Sequence, residues 1–298
     1  MRKYFLFTAL LVLAFVISIA GLRTGVVQAK SWGFTNADFC GTFGSQWTGS
    51  VYFPTAPFNQ LNGPYAMLGR VAADGLGKMS AKFIECYNGT ILRSEATGTY
   101  SVKPDGTLIM LFSYVLPGVG SFTLEVTGIL FDEGRQARVT CSKIIDPPVP
   151  AGFTGMAATS TLIKQGKSWG WSDADWNGSF ANRSSGVIAL PAQHPLALLN
   201  GPFAMVGRVT SDGRGGFAGN TLISFNGSMS QQLVTGAYTV SPDGTLKTTV
   251  KAPQLTLIYD GILVDGGNQL YLLLTELPGV GLPAGYTGVT WTEIHSRQ

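Results

Sequence analysis

Two histidines, His194 and His295, are all the imidazole this chain offers a reaction, and both fall in its second half. A Ser-His-Asp triad would have to be confined to that half, and a His-based zinc site would need carboxylates or distant cysteines to complete it. The three cysteines, Cys40, Cys86 and Cys141, are far apart and lack the C-x-x-C spacing of metal or redox motifs. No metal and no organic cofactor is expected.

Most carboxylates have structural work. Asp74, Asp105, Asp212 and Asp243 each precede a glycine, where an Asp side chain bonds the backbone two residues on and makes a turn. Asp38 and Asp175 lie three residues after Thr35 and Ser172, the spacing of a capping box with Asp in place of Glu, enough for one helical turn. Glu85, Glu95, Glu125 and Asp260 fall in strand-like stretches and have no charged match in the other half of the chain, so an acid-base role for any of them would belong to one half only.

Four residues remain as candidate ligand contacts. Arg70 and Arg208 are each the single charge in an apolar stretch, "YAMLGRV" or "FAMVGRV". On an inward face, such a guanidinium must be paired and could hold an anionic ligand; on an outward face, it is the polar member of an alternating strand, and the outward or paired placement is favoured because arginines are seldom fully buried. Tyr100 and Tyr238 share a face with Val102 and Val240 and would line the interior as core or as ligand contacts.

The elements that must position these residues are written twice. "LNGPYAMLGRVAADGLG" at Leu61 returns as "LNGPFAMVGRVTSDGRG" at Leu199, "SWGFTNADFCGTF" at Ser31 as "SWGWSDADWNGSF" at Ser168, and "GTYSVKPDGTL" at Gly98 as "GAYTVSPDGTL" at Gly236. A repeat of this length is a domain duplication rather than a solenoid. Each copy shows about eight strand signals joined by Asn-Gly and Asp-Gly pairs, read as two-residue hairpin loops between antiparallel neighbours. Alternation is clear in Phe122, Leu124, Val126, Gly128 and Leu130, and again in Leu255, Leu257, Tyr259, Gly261 and Leu263. An eight-stranded meander removes its edges by closing into an up-and-down barrel, so the expected fold is all-β: two tandem antiparallel barrels of about eight strands, residues 30–166 and 167–298. Gly69 and Gly207, each just before the arginine, suggest a bulge or bend.

After the helical turn, "FCGTF" at Phe39 and "WNGSF" at Trp176 put G-x-aromatic on the first strand of each copy. This resembles the calycin-like lipocalin and avidin superfamily, whose pattern there is G-x-W; Phe43 and Phe180 stand where the tryptophan is expected. The repeated phrases also look like exported bacterial proteins of unassigned function. Allene oxide cyclase and dirigent barrels are similar in strand number. These resemblances imply the barrel and transfer no ligand or catalytic residue.

The first 29 residues have a basic start at Arg2 and Lys3, an apolar run and a V-Q-A ending, which read as a cleaved signal peptide and an exported, periplasmic or extracellular protein. Arg2, Lys3 and Arg23 leave with it, so 17 of the 20 basic residues remain against 17 acidic ones. That balance offers no footprint for nucleic acid, and no later run has transmembrane length. The leading expectation is a non-enzymatic module that binds a small apolar or weakly anionic ligand or serves a structural envelope role. An isomerase or cyclase steered by Arg70, Tyr100 and Glu125 is one alternative, and a surface carbohydrate-binding module using Trp47, Trp169 and Trp171 is another.

Overall fold

The structure, a computed structural model, describes residues 33–150, 154–253 and 255–298; the expected signal peptide lies outside them. Strands β1 (Cys40–Val51), β2 (Gly63–Asp74), β3 (Lys78–Tyr87), β4 (Thr90–Val102), β5 (Thr107–Leu116), β6 (Gly120–Phe131), β7 (Gln136–Asp146) and β8 (Met156–Lys164) pair in chain order, and β8 returns to β1 to close a barrel. The second copy repeats this with β9 (Asn177–Ile188), β10 (Gly201–Asp212), β11 (Gly216–Phe225), β12 (Ser228–Val240), β13 (Thr245–Lys251), β14 (Thr256–Val264), β15 (Gln269–Glu276) and β16 (Val289–Arg297), closed by β16 on β9. The protein is all-β, two antiparallel up-and-down barrels of eight strands. Among the described residues no helix is long and apolar enough to cross a membrane.

Local chemistry explains the turns. Asn88-Gly89 and Asn226-Gly227 hold φ of 47° and 88°, and 47° and 89°, the paired left-handed conformations of a two-residue type I′ hairpin. The Asp-Gly pairs behave differently from the expectation. They sit in longer loops, Gly75 to Gly77 after β2 and Lys103 to Gly106 after β4, because the Asp carboxylate organises a wider turn: Asp74 Oδ1 accepts from the N–H groups of Leu76 and Lys78 at 2.7 and 2.9 Å.

A one-turn 3-10 segment stands at the head of each barrel, Asn36–Asp38 and Asp173–Asp175. Both form the capping box read from sequence, with the Thr35 and Ser172 N–H groups donating to Asp38 and Asp175 carboxylates at 2.8 Å. Asn36 Oδ1 and Asp173 Oδ1 accept from the Val102 and Val240 N–H groups, which ties each turn to the strand that follows the second hairpin. Behind the turns each interior is filled by aromatic and aliphatic side chains, among them Phe43, Phe83 and Phe122 in the first barrel and Trp176, Phe180 and Tyr259 in the second.

No bulge occurs at Gly69 or Gly207, where pairing with the neighbouring strands runs without a shift. Glycine is needed at position 69 for space: an added Cβ would lie 2.5 Å from Ser45 Oγ and 2.9 Å from the Phe83 ring. The irregular pairings fall between β6 and β7 and between β14 and β15.

Both barrels belong to one compact unit, Phe34–Gln298, and pack side by side. In β2 five consecutive residues, Tyr65 to Gly69, are buried, because Tyr65 and Met67 fill the barrel while Ala66 and Leu68 face outward onto Ile262, Val264, Tyr271 and Leu273 of the second barrel. Gly44 lies tight against the second barrel, where a Cβ would meet Val264 Cγ1 at 2.4 Å. Polar groups in the contact are matched. Gln46 Nε2 donates to the Leu272 and Glu293 carbonyls at 3.0 Å each, Arg93 pairs with Asp260 at 2.6 Å, and Ile91 N–H donates to Gly285 O at 2.7 Å.

Candidate functional site

The four residues singled out by type do not converge. Arg70 projects from the outer face of β2 into the contact between barrels, where Nε donates to Gln165 Oε1 and Asp243 O at 3.2 Å and an Nη donates to Ser168 O at 3.3 Å. Its counterpart Arg208 lies on an exposed face and donates to Ser179 Oγ at 2.7 Å. Tyr100 and Tyr238 do point inward, but their hydroxyls are committed to the head turns: Tyr100 donates to Phe39 O at 2.8 Å and Tyr238 to Trp176 O at 2.9 Å. Each tyrosine fastens the plug of its own barrel.

Arg70, Tyr100 and Glu125, the groups an isomerase would use, share no cavity. Glu125 accepts from Ser142 Oγ on the outer face of the first barrel. Of the tryptophans a carbohydrate platform would need, Trp47 and Trp171 are buried and Trp169 is exposed. The three thiols are free, and burial raises those of Cys86 and Cys141 to about 11, well away from thiolate reactivity.

The interior of each barrel instead contains one buried carboxylate. In the first barrel Glu85 on β3 points inward and is ringed by hydroxyl donors. Tyr87 donates to Oε1 at 2.8 Å, Tyr65 and Tyr114 to the same oxygen at 3.3 Å, and Ser94 to Oε2 at 3.0 Å. Burial raises the Glu85 carboxyl above its usual range, while the bonds from Tyr87, Ser94, Tyr65 and Tyr114 pull the other way; the same burial, with the Glu85 charge, raises the three phenols.

In the second barrel the carboxylate sits on another strand. Glu293 on β16 accepts from Asn182 Nδ2 at 2.7 Å and from His295 Nε2 at 2.6 Å. Among the described residues His295 Nδ1, Asn182 Oδ1 and the indole nitrogens of Trp176 and Trp291 have no hydrogen-bond partner, and all four side chains border one void. His194, by contrast, is a loop staple, accepting at Nδ1 from Leu196 N–H and donating from Nε2 to Val280 O.

From the sequence, Glu85 stands out only as unmatched and His295 only as one of two imidazoles in the second half. The available signal was alternation, since Glu85 shares a face with Phe83 and Tyr87, and Glu293 with Trp291 and His295.

Volume decides what the interiors can do. The void beside Tyr65 and Phe83 is about 20 Å³ and the one beside Glu293 about 50 Å³, against roughly 150 Å³ for a cavity that takes a benzene. Water-sized guests fit, and a substrate does not.

The roomy site is outside the barrels. A cleft of about 790 Å³ runs along one flank of the contact, between β1, β6, β7 and β8 of one barrel and β9, β10 and β16 of the other. Its walls carry Arg138 and Arg183 and a series of hydroxyls that includes Thr48, Thr140, Thr159 and Ser185, with no carboxylate among them. Among the described residues neither guanidinium has an ion-pair partner. The opposite flank has a cleft of about 470 Å³ in which Arg93 pairs with Asp260 and Lys82 with Glu95, while Lys247 on its wall pairs with Glu276 beyond it.

No family model and no curated protein matches the sequence. Among solved structures the chain is similar to Aeromonas veronii immune modulator A, at 11% identity and a TM-score of 0.22 over 86% of this chain and 94% of that one.

Proposed function

We propose that this is an exported, non-enzymatic binding module whose ligand sits in the outer cleft between the barrels rather than inside either of them. The observation that carries the reading is the pair Arg138 and Arg183, two cations without a carboxylate partner in a wall otherwise rich in hydroxyls. Such a surface complements a small, weakly anionic, oxygen-rich ligand: guanidinium groups take the carboxylate or phosphate oxygens, and the threonine and serine hydroxyls exchange hydrogen bonds with the rest. The filled interiors supply a rigid frame, so the cleft is formed before the ligand arrives and little ordering opposes binding.

The test is calorimetric titration of the mature protein with a panel of sugar acids and sugar phosphates, repeated with Arg138→Gln and Arg183→Gln together. The expected result is salt-sensitive binding that the double substitution removes. Binding that survives the double substitution, or no binding across the panel, rejects the cleft as the site.

A further inference from the structure

The contact between the barrels has a direction. The first barrel uses Gly44 and Gln46 of β1 and the outer face of β2, β3 and β4, with Ala66, Leu68, Ile84 and Ile91, and the second answers with β14, β15 and β16. Because the barrels are copies, the second has its own version of the β2, β3 and β4 part of that face on β10, β11 and β12, and no described residue packs over it. Val206, Leu222, Met229 and Leu233 stand there 57%, 40%, 66% and 74% exposed. They occupy the positions of Leu68, Ile84, Ile91 and Glu95 in the repeat.

The uncovered face is also less charged than the covered one. Lys82, Arg93 and Glu95 of the first barrel are replaced by Asn220, Gln231 and Leu233, leaving as exposed charges on these strands Arg208 at the margin of the patch and Asp212 at the turn end of β10. Depletion of charge around exposed aliphatic side chains marks the core of an interface rather than an ordinary solvent face.

We propose that β10, β11 and β12 form the interface with a second copy of this chain, the two equal faces meeting about a twofold axis. A head-to-tail arrangement is the other way copies could use the face, by repeating the contact seen inside the chain. It would require the outer face of β6, β7 and β8 of the next copy to act as β14, β15 and β16 do. That face has Arg138, Thr140 and Thr161 where the internal contact has Tyr271, Leu273 and Ile294. Docking there would bury a guanidinium against a face with no carboxylate to pair it, which is strongly unfavourable. An uncharged face, in contrast, is complementary to itself, and a twofold pairing closes at two copies instead of growing into a fibre.

Sedimentation equilibrium of the mature protein tests this, with Leu233→Glu as the diagnostic variant. Glutamate is the residue the first barrel carries at the matching position, so the strand accommodates it; circular dichroism and the melting profile of the variant monitor the fold directly. The expected result is a dimer whose dissociation constant rises more than ~100-fold in Leu233→Glu, since each copy then buries a carboxylate without a partner at a desolvated face. A monomer at all concentrations overturns the proposal, as does a dimer indifferent to Leu233→Glu. An open-ended series of oligomers abolished by Ile129→Glu would also overturn it, in favour of head-to-tail growth.

Discussion

The two barrels share a shell and differ in what they bury. The head turn, the tyrosine that fastens it and the Asn-Gly hairpin recur at matching places, whereas Glu85 on the third strand of one barrel becomes Ile223 in the other, and Glu293 on the last strand of the second is Ser160 in the first. The surrounding groups change with them: Tyr65 and Tyr87 become Phe203 and Phe225, and His295 corresponds to Leu162. Each buried carboxylate therefore travels with its own set of donors. What was duplicated is a scaffold, and the polar interiors are separate solutions to satisfying a charge inside it.

Exchanging the interiors piecemeal is the strongest way to break this comparison. Glu85→Ile copies the second barrel, yet it strands the hydroxyls of Tyr65, Tyr87, Tyr114 and Ser94, and we expect a loss of about 3 kcal/mol in urea unfolding. Adding Tyr65→Phe and Tyr87→Phe, as the second barrel has them, should recover part of that loss. Equal stability of the single and triple variants would show that the cluster is not coupled.

The outer faces give the next contrast. Gly44 lies against Val264, while its counterpart Ala181 is exposed. Gly44→Val is expected to cost about 2 kcal/mol, and Ala181→Val to change stability by less than about 0.5 kcal/mol. A smaller effect is expected at the plugs. Tyr100→Phe should cost about 1 kcal/mol, and Tyr238→Phe less, because Ser211 Oγ also donates to the Trp176 carbonyl and keeps it satisfied. Thermal melts of the two variants side by side measure the difference.

The smallest effect expected is the pH dependence, in which four hydrogen bonds oppose what burial does to Glu85. Its carboxyl is raised in the folded protein, so between the ordinary carboxylate value of about 4.3 and the raised one the folded state holds more protons than the unfolded state. Stability from this group is highest at the acid end of that window and falls as pH rises through it. Glu85→Gln should flatten that slope in denaturation curves taken at several pH values. A slope unchanged by the substitution would assign the dependence elsewhere.

Much of the architecture was legible because its determinants are local. Asn-Gly pairs, the Thr35 and Ser172 capping boxes and the repeat itself lead to strand number and order without tertiary information. The direction of the faces was not legible. Alternation identifies residues that share a face, but in β2 both faces are apolar, one filling a barrel and the other meeting its neighbour, so Arg70 offered no contrast to read. The ring around Glu85 is assembled from β2, β3, β4 and β5, and the register between those strands together with the curl of the sheet brings the hydroxyls together. The cleft with Arg138 and Arg183 depends on how two barrels dock, which no stretch of a single repeat encodes.

The joint between the barrels carries one further consequence. Gln165, in the short connection after β8, is fully buried and donates to the Leu263 and Asp243 carbonyls while accepting from Arg70, so the connection is clamped by the second barrel. Heat or denaturant that loosens one barrel strips side chains from the other. The pair should melt in a single calorimetric transition, and a chain nicked by protease beside exposed Trp169 should migrate as one particle until it is denatured.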